Sequence, residues 1–195
     1  MPGLLVVHLD DEIRSLQKSL DEELISRAVA QKVGDSEENL IVRDGLPLTD
    51  FATTTTGASS SSTGYTSESW FIDMTSVQRD GTTASVAGSY NEAINVNLDK
   101  EKVVGILGVK KGYIDNVSAI KFGFPGGVTV KDIWQIDHLE PGEDGFAESP
   151  IIFDSSNKMQ VLYYLTTLGP VDLKLYTRVC ESIGDTIMGG AEPVS

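Results

Sequence analysis

The chain has 195 residues, a length that favours one domain around one hydrophobic core. Its 15 Lys and Arg stand against 29 Asp and Glu, a formal net charge of −14, which opposes direct binding of the whole chain to nucleic-acid phosphates or to anionic membranes. The lone Cys180 excludes an internal disulfide, and two histidines, His8 and His138, leave too few ligands for a His/Cys zinc cage.

The apolar run Leu4–Val7 lacks a basic flank and runs into Asp10, Asp11 and Glu12, so no signal peptide is expected there. No stretch approaches the 18 or so apolar residues of a membrane helix, and no transmembrane segment is expected. From Asp10 to Val33 the apolar residues Ile13, Leu16, Leu20, Leu24 and Ala28 recur every three or four positions, which predicts an amphipathic helix. The acidic start complements the helix dipole, and Gly34 marks the end. Such a stripe docks either on the chain's own sheet or on a neighbouring subunit. Ile13, Leu16, Leu20 and Leu24 are therefore candidate partner-binding residues.

Thr53–Thr56, Gly57 and Ser59–Ser62 have the composition of a linker. The reading in domains is a helical arm over 1–48, a linker over 49–66, a β-domain over 67–188 and a flexible tail over 189–195. Beyond Glu68 the period falls to two. Runs rich in β-branched and aromatic residues at 70–74, 82–86, 93–98, 103–109, 117–124, 128–139, 151–153, 159–165 and 171–180 predict eight or nine strands. Turn chemistry separates them, as at Asp80-Gly81, Lys111-Gly112, Pro141-Gly142 and Gly169-Pro170. With no helical pattern between strands, the expected fold is mainly β: an antiparallel, jelly-roll-like β-sandwich of about eight strands, with an N-terminal amphipathic helix.

No phosphate-binding glycine loop, dinucleotide fingerprint or nucleophile elbow occurs, which removes the common nucleotide and α/β-hydrolase readings. The densest polar run, residues 137–145, makes Asp137, Glu140, Glu143 and Asp144 calcium candidates, although the spacing is not that of an EF-hand. A solvated turn is the favoured reading, so no metal and no cofactor are expected. His138 beside Glu140 lacks a matched second carboxylate or nucleophile for acid–base work, and no catalytic residue is assigned. Cys180, at the end of an alternating strand, reads as a small buried hydrophobe. Trp70, Phe71, Trp134, Tyr163 and Tyr164 offer either core packing or a sugar-stacking platform. Asn116-Val117-Ser118 fits a glycosylation sequon. Charge is segregated: residues 100–131 hold Lys100, Lys102, Lys110, Lys111, Lys121 and Lys131 against two carboxylates, in otherwise acidic surroundings. Lys100, Lys102, Lys110 and Lys111 are candidate partner-binding residues for side-to-side association of copies.

An N-terminal arm and linker leading into about eight antiparallel strands resembles viral single-jelly-roll capsid proteins. The segments 103–109 (Val-Val-Gly-Ile-Leu-Gly-Val), 117–123 (Val-Ser-Ala-Ile-Lys-Phe-Gly) and 129–134 (Thr-Val-Lys-Asp-Ile-Trp) are similar to strands of the small capsid proteins of tailless, membrane-containing icosahedral bacterial and archaeal viruses. The resemblance covers residues 67–188. It implies a non-enzymatic virion structural protein, a capsid or shell-associated subunit assembled in the host cytoplasm, whose partners are copies of itself and other shell proteins. Many capsid arms are basic and bind the genome, whereas residues 1–50 here hold 11 acidic against 5 basic groups, so no direct nucleic-acid contact is expected. The alternative is a β-sandwich binding module for a glycan or host surface, with calcium at the 137–145 turn as its candidate aid.

Overall fold

The computed structural model describes residues 3–6, 10–34, 36–45, 71–78, 82–98, 102–124, 130–154 and 158–183. The predicted linker at 49–66, the tail at 189–195, Trp70 and Lys100 lie outside them.

The element that organises the molecule is the long strand β10 (Gly169–Ser182). Its alternating Val171, Leu173, Leu175 and Val179 line the interior, and its length lets it pair along both edges. On one edge it meets β5 (Lys102–Lys111), which pairs in turn with β8 (Asp144–Phe153). On the other edge its first residues meet β3 (Phe71–Met74), completing a sheet ordered β3-β10-β5-β8. Opposite lies a sheet of β4 (Ser89–Asn97), β9 (Lys158–Leu165), β6 (Val117–Gly123) and β7 (Val130–Gln135), ordered β4-β9-β6-β7. Every pair within these two sheets is antiparallel. Strands one, eight, three and six of the eight face strands two, seven, four and five, which is the order of a jelly roll.

The interior is closely filled. Phe122 and Trp134 meet edge to face at 4.6 Å, Phe124 and Phe153 at 6.1 Å, and Tyr163, Ile94, Ile106, Ile120 and Met159 are buried among them. Burying this apolar surface is the main stabilisation of the fold. Trp134 Nε1 donates to Asp132 Oδ2 at 3.0 Å, so its polar group is not buried without a partner.

The described residues of 1–48 pack on the β-domain. Helix α1 (Asp10–Ala30) lies on the outer face of the β10-β5-β8 sheet, where Leu20, Leu24 and Ala28 pack with Val103, Leu107, Phe146, Ile152 and Cys180. Ile13 and Leu16 are half-buried against the same cluster. The stripe therefore docks on the chain's own sheet, and Leu20 and Leu24 contact no neighbour while the helix stays docked. Glycine at 105 permits the approach, because a Cβ there would stand 2.7 Å from Leu20 Cδ1. Strand β2 (Leu40–Asp44) continues the sheet along the second half of β10. Arg178 ties the three elements together, donating to both Asp21 carboxylate oxygens at 2.8 and 2.7 Å and to Asp44 Oδ1 at 2.7 Å. Strand β1 (Gly3–Val6) sits in the lateral seam between the sheets, parallel to β7 through Gly3 and Leu4 and antiparallel to β8 through Leu5 and Val6.

Several predicted strands differ in extent: β8 begins at Asp144, seven residues ahead of the predicted 151–153 run, and β4 begins at Ser89, ahead of the predicted 93–98 run. The 82–86 run is no strand and forms a single bridge, Val77 with Ala84. The 128–139 run ends as strand at Gln135, because Lys111 gathers the carbonyls of Ile136 and Leu139 into a turn.

Candidate functional site

The strand order brings four connections to one end of the sandwich, with described residues 75–78 and 82–88, 112–116, 136–143 and 166–168. Lys111, only 3% exposed, is the hub of this end. Its Nζ donates to Leu139 O at 2.9 Å and Ile136 O at 3.3 Å and lies 2.9 Å from Asp115 Oδ1. Its backbone accepts from Gly142 N at 2.7 Å and donates to Glu143 O at 3.0 Å. Gly112 N donates to Asp172 O at 2.8 Å, and a Cβ at 112 would overlap that oxygen. Asn116 bridges to the fourth connection, with Nδ2 donating to Pro170 O at 2.9 Å and its carbonyl accepting from Thr166 N at 2.8 Å. The first connection is held by Asn91, whose side chain both donates to Val86 O and accepts from Val86 N.

These braced loops hold apolar side chains out to solvent. Tyr113 is 83% exposed beside Gly142, Ile114 is exposed next to it on the same connection, and Leu168 and Val86 are exposed on two of the others. Exposed Asp115, Asp137 and Glu140 stand on the same loops. An exposed aromatic side chain on a braced loop has the composition of an interaction anchor, since the backbone that carries it has little freedom left to lose on binding. Sequence reading missed these four residues. The available signal was the apolar pair Tyr113-Ile114 inside turn punctuation, between Gly112 and Asp115.

The described lysines do not form one patch. Lys102 and Lys111 stand at opposite ends of β5, about 30 Å apart at the strand rise. Lys102 lies 3.5 Å from Glu181 Oε2, which also takes Arg43, and Lys110 lies 3.9 Å from Asp144 Oδ1. Lys111 is the buried staple just described and is not a contact residue. Lys121 lies 5.5 Å over the Tyr90 ring on the opposite sheet. Lys131 lies over Phe124 and Phe153 and donates to Ile152 O, and its desolvation holds its pKa below the usual lysine value.

The calcium candidates do not converge. Glu143 Oε2 accepts from Glu140 N at 2.8 Å, closing the turn on itself, while Asp144 accepts from the Tyr176 hydroxyl at 2.7 Å. Burial and that bond raise the Tyr176 pKa. Asp137 lies 4.0 Å from His138 Nδ1 on the exposed side of the turn. Among the described residues no three His, Cys, Asp or Glu side chains are grouped to hold a metal ion. No helix among them is long and apolar enough to cross a membrane.

Trp134 and Tyr163 belong to the core and offer no stacking platform. Tyr164 is half-buried on the outer face of its sheet, edge to face with Tyr90 at 5.2 Å. Cys180 is buried under α1, where desolvation pushes its thiol up to about 11. Asn116 is buried with its amide donated, so the sequon nitrogen is already engaged. No protein-family model, curated protein or solved structure matches this chain.

Proposed function

We propose that the chain is a non-enzymatic virion structural protein, a capsid or shell-associated subunit that acts by binding copies of itself. The observation that supports the reading is the jelly-roll strand order closed around an interior filled by side chains. Jelly rolls serve as capsid, lectin and cupin domains. With Phe122, Trp134, Phe153 and Tyr163 filling the space between the sheets, no room is left there for a substrate. What this molecule offers a partner is its surface, and the braced loop end with Tyr113 is the built part of that surface. The acidic balance of the chain favours contacts with protein over contacts with a genome.

The test is size-exclusion chromatography with light scattering at low and high salt, followed by negative-stain imaging. Defined oligomers, sheets or shells are expected. A monomer at every concentration and salt would overturn the reading.

A second reading has one observation behind it. On the sheet face away from α1, Tyr90 and Tyr164 flank Lys121, and Gln160 and Asn95 both donate to Glu92 Oε2, at 2.7 and 3.0 Å. Aromatic faces beside an oriented carboxylate suit a saccharide. Chemical-shift changes in these residues on titration with neutral oligosaccharides would favour it, and unchanged spectra across a broad panel would remove it.

A further inference from the structure

We propose that copies meet tip to face: the loop end bearing Tyr113 of one molecule docks on the outer face of the β4-β9-β6-β7 sheet of the next. This rests on the self-association reading and names the two surfaces that meet. The sandwich is covered unequally. Helix α1 lies over the β10-β5-β8 sheet, whereas among the described residues no helix covers the outer face of the other sheet. Across that bare face the register sets Ile133, Lys121, Leu162 and Glu92 side by side on the four strands, all half-buried, with Tyr164 opposite Tyr90 in the next row. Alternation along β9 adds exposed Lys158 to the same face. Its one carboxylate among the described residues, Glu92, is held by the amides of Gln160 and Asn95. Lys102, Lys110 and Lys111 each lie beside a carboxylate of their own chain. The Lys121 ammonium instead lies over the Tyr90 ring, and no carboxylate pairs with it among the described residues. In a chain of formal charge −14, this is a part-apolar face with a positive balance.

The loop end is its complement. A Cβ at 142 would stand 3.4 Å from the Tyr113 hydroxyl, so the exposed ring adjoins the 136–143 connection, which carries exposed Asp137 and Glu140. An aromatic anchor flanked by carboxylates matches a face of aliphatic and tyrosine side chains with ammonium groups among them. Neither surface suits itself. Tip on tip brings carboxylates together and face on face brings lysines together, and such like-charge meetings select against both pairings. Tip on face is a heterologous contact. Every pair it forms keeps one free tip and one free face, so it builds rings or open arrays rather than a closed dimer. Because opposite charges draw the two surfaces together, added salt weakens the contact.

The experiment uses two full-length variants and light scattering. Tyr113→Ser with Glu140→Lys disables the tip, and Lys121→Glu with Lys158→Glu disables the face. Each alone is expected to associate roughly thirtyfold more weakly than the wild type, the loss of one anchor. Mixed in equal amounts, they hold one intact tip and one intact face between them, and a dimer of one of each that grows no further is expected. Should the face variant melt well below the wild type, Lys121→Gln takes its place in the same mixture. If the face variant associates as the wild type does, the tip-to-face contact is overturned and self-association stands. If both variants are weakened but their mixture forms no dimer, the two surfaces do not meet each other and the proposal falls. If oligosaccharides shift the resonances of Tyr90 and Tyr164 while the face variant still associates normally, the face takes a glycan and the proposal falls again. A wild type that is monomeric at every concentration and salt removes both readings together.

Discussion

Leu20 of α1 lies directly over Gly105 of β5, so close that a Cβ at 105 would stand 2.7 Å from its Cδ1 and 3.2 Å from its Cγ. Leu20 is 1% exposed, and its tip has little room to move aside. Gly105→Val is therefore expected to lower stability by about 1–3 kcal/mol, as overpacking does. Leu20→Ala alone is expected to cost about 2–5 kcal/mol through the cavity it leaves. Combined, the two are expected to cost less than their sum, because the valine fills space that the leucine vacates. Urea denaturation of the two single variants and the double variant measures the coupling, and strict additivity would show that the two residues do not share this space.

Lys111 carries a different kind of energy. Its ammonium is buried and holds two carbonyls of the 136–139 turn as well as Asp115. Lys111→Met keeps much of the apolar volume and removes the donor. Each carbonyl left unsatisfied costs about 1–3 kcal/mol, so a total loss of about 3 kcal/mol or more is expected. Faster amide exchange should follow at Leu139 and Gly142, whose N–H groups donate within this turn and to Lys111. An unchanged exchange pattern would show that the turn stands without its staple.

Cys180 gives the fold an alkaline signature. Its pKa is pushed from 9.0 to about 11, first by burial and then by the nearby charges of Glu181 and Asp21. Above the unfolded value the denatured chain loses its thiol proton before the native chain does. The native state then binds more protons, and stability falls as pH rises. The contribution is complete below pH 9 and is lost progressively between 9 and 11. Urea melts through this window are expected to decline more steeply for the wild type than for Cys180→Ala, and parallel curves would contradict the assignment. Alkylation of the native thiol near neutral pH is expected to be slow for the same reason.

Much of the fold was legible because period-two patterns are written along single segments. Val171, Leu173, Leu175 and Val179 announce β10, and the 103–109, 117–124 and 159–165 runs each mark a strand within a few residues of its ends. The Leu20, Leu24 and Ala28 stripe announced a docked helix without naming its partner, which the sequence spacing does not encode. Two strands escaped. Leu4–Val7 was too short an apolar run to carry a period, and Leu40–Asp44 is an edge piece whose pairing with residues 178–182 is wholly non-local. The candidate site was the least legible part. Lys102, Lys110, Lys111, Lys121 and Lys131 are near one another in sequence, but the strands carry them to opposite ends of the molecule and to both sheets. Tyr113, Ile114, Leu168 and Val86 share one end of the sandwich only because the strand order gathers their loops there.

That gathering makes the last prediction. Tyr113 is 83% exposed and its loop is braced from beneath by Lys111 and Asn116, so the ring contributes little to the fold itself. Tyr113→Ser is expected to leave the melting behaviour within the range of ordinary surface changes, about 0.5 kcal/mol. Self-association should respond much more strongly. An aromatic anchor at the centre of a contact is worth about 2 kcal/mol or more, enough to weaken association roughly thirtyfold. Leu168→Ser, on the adjoining connection, is expected to act in the same direction and to be non-additive with Tyr113→Ser if one partner covers both. Light scattering across a concentration series, run beside thermal melts, separates the two effects. A Tyr113→Ser chain that melts and associates as the wild type does would move the contact away from this end of the sandwich.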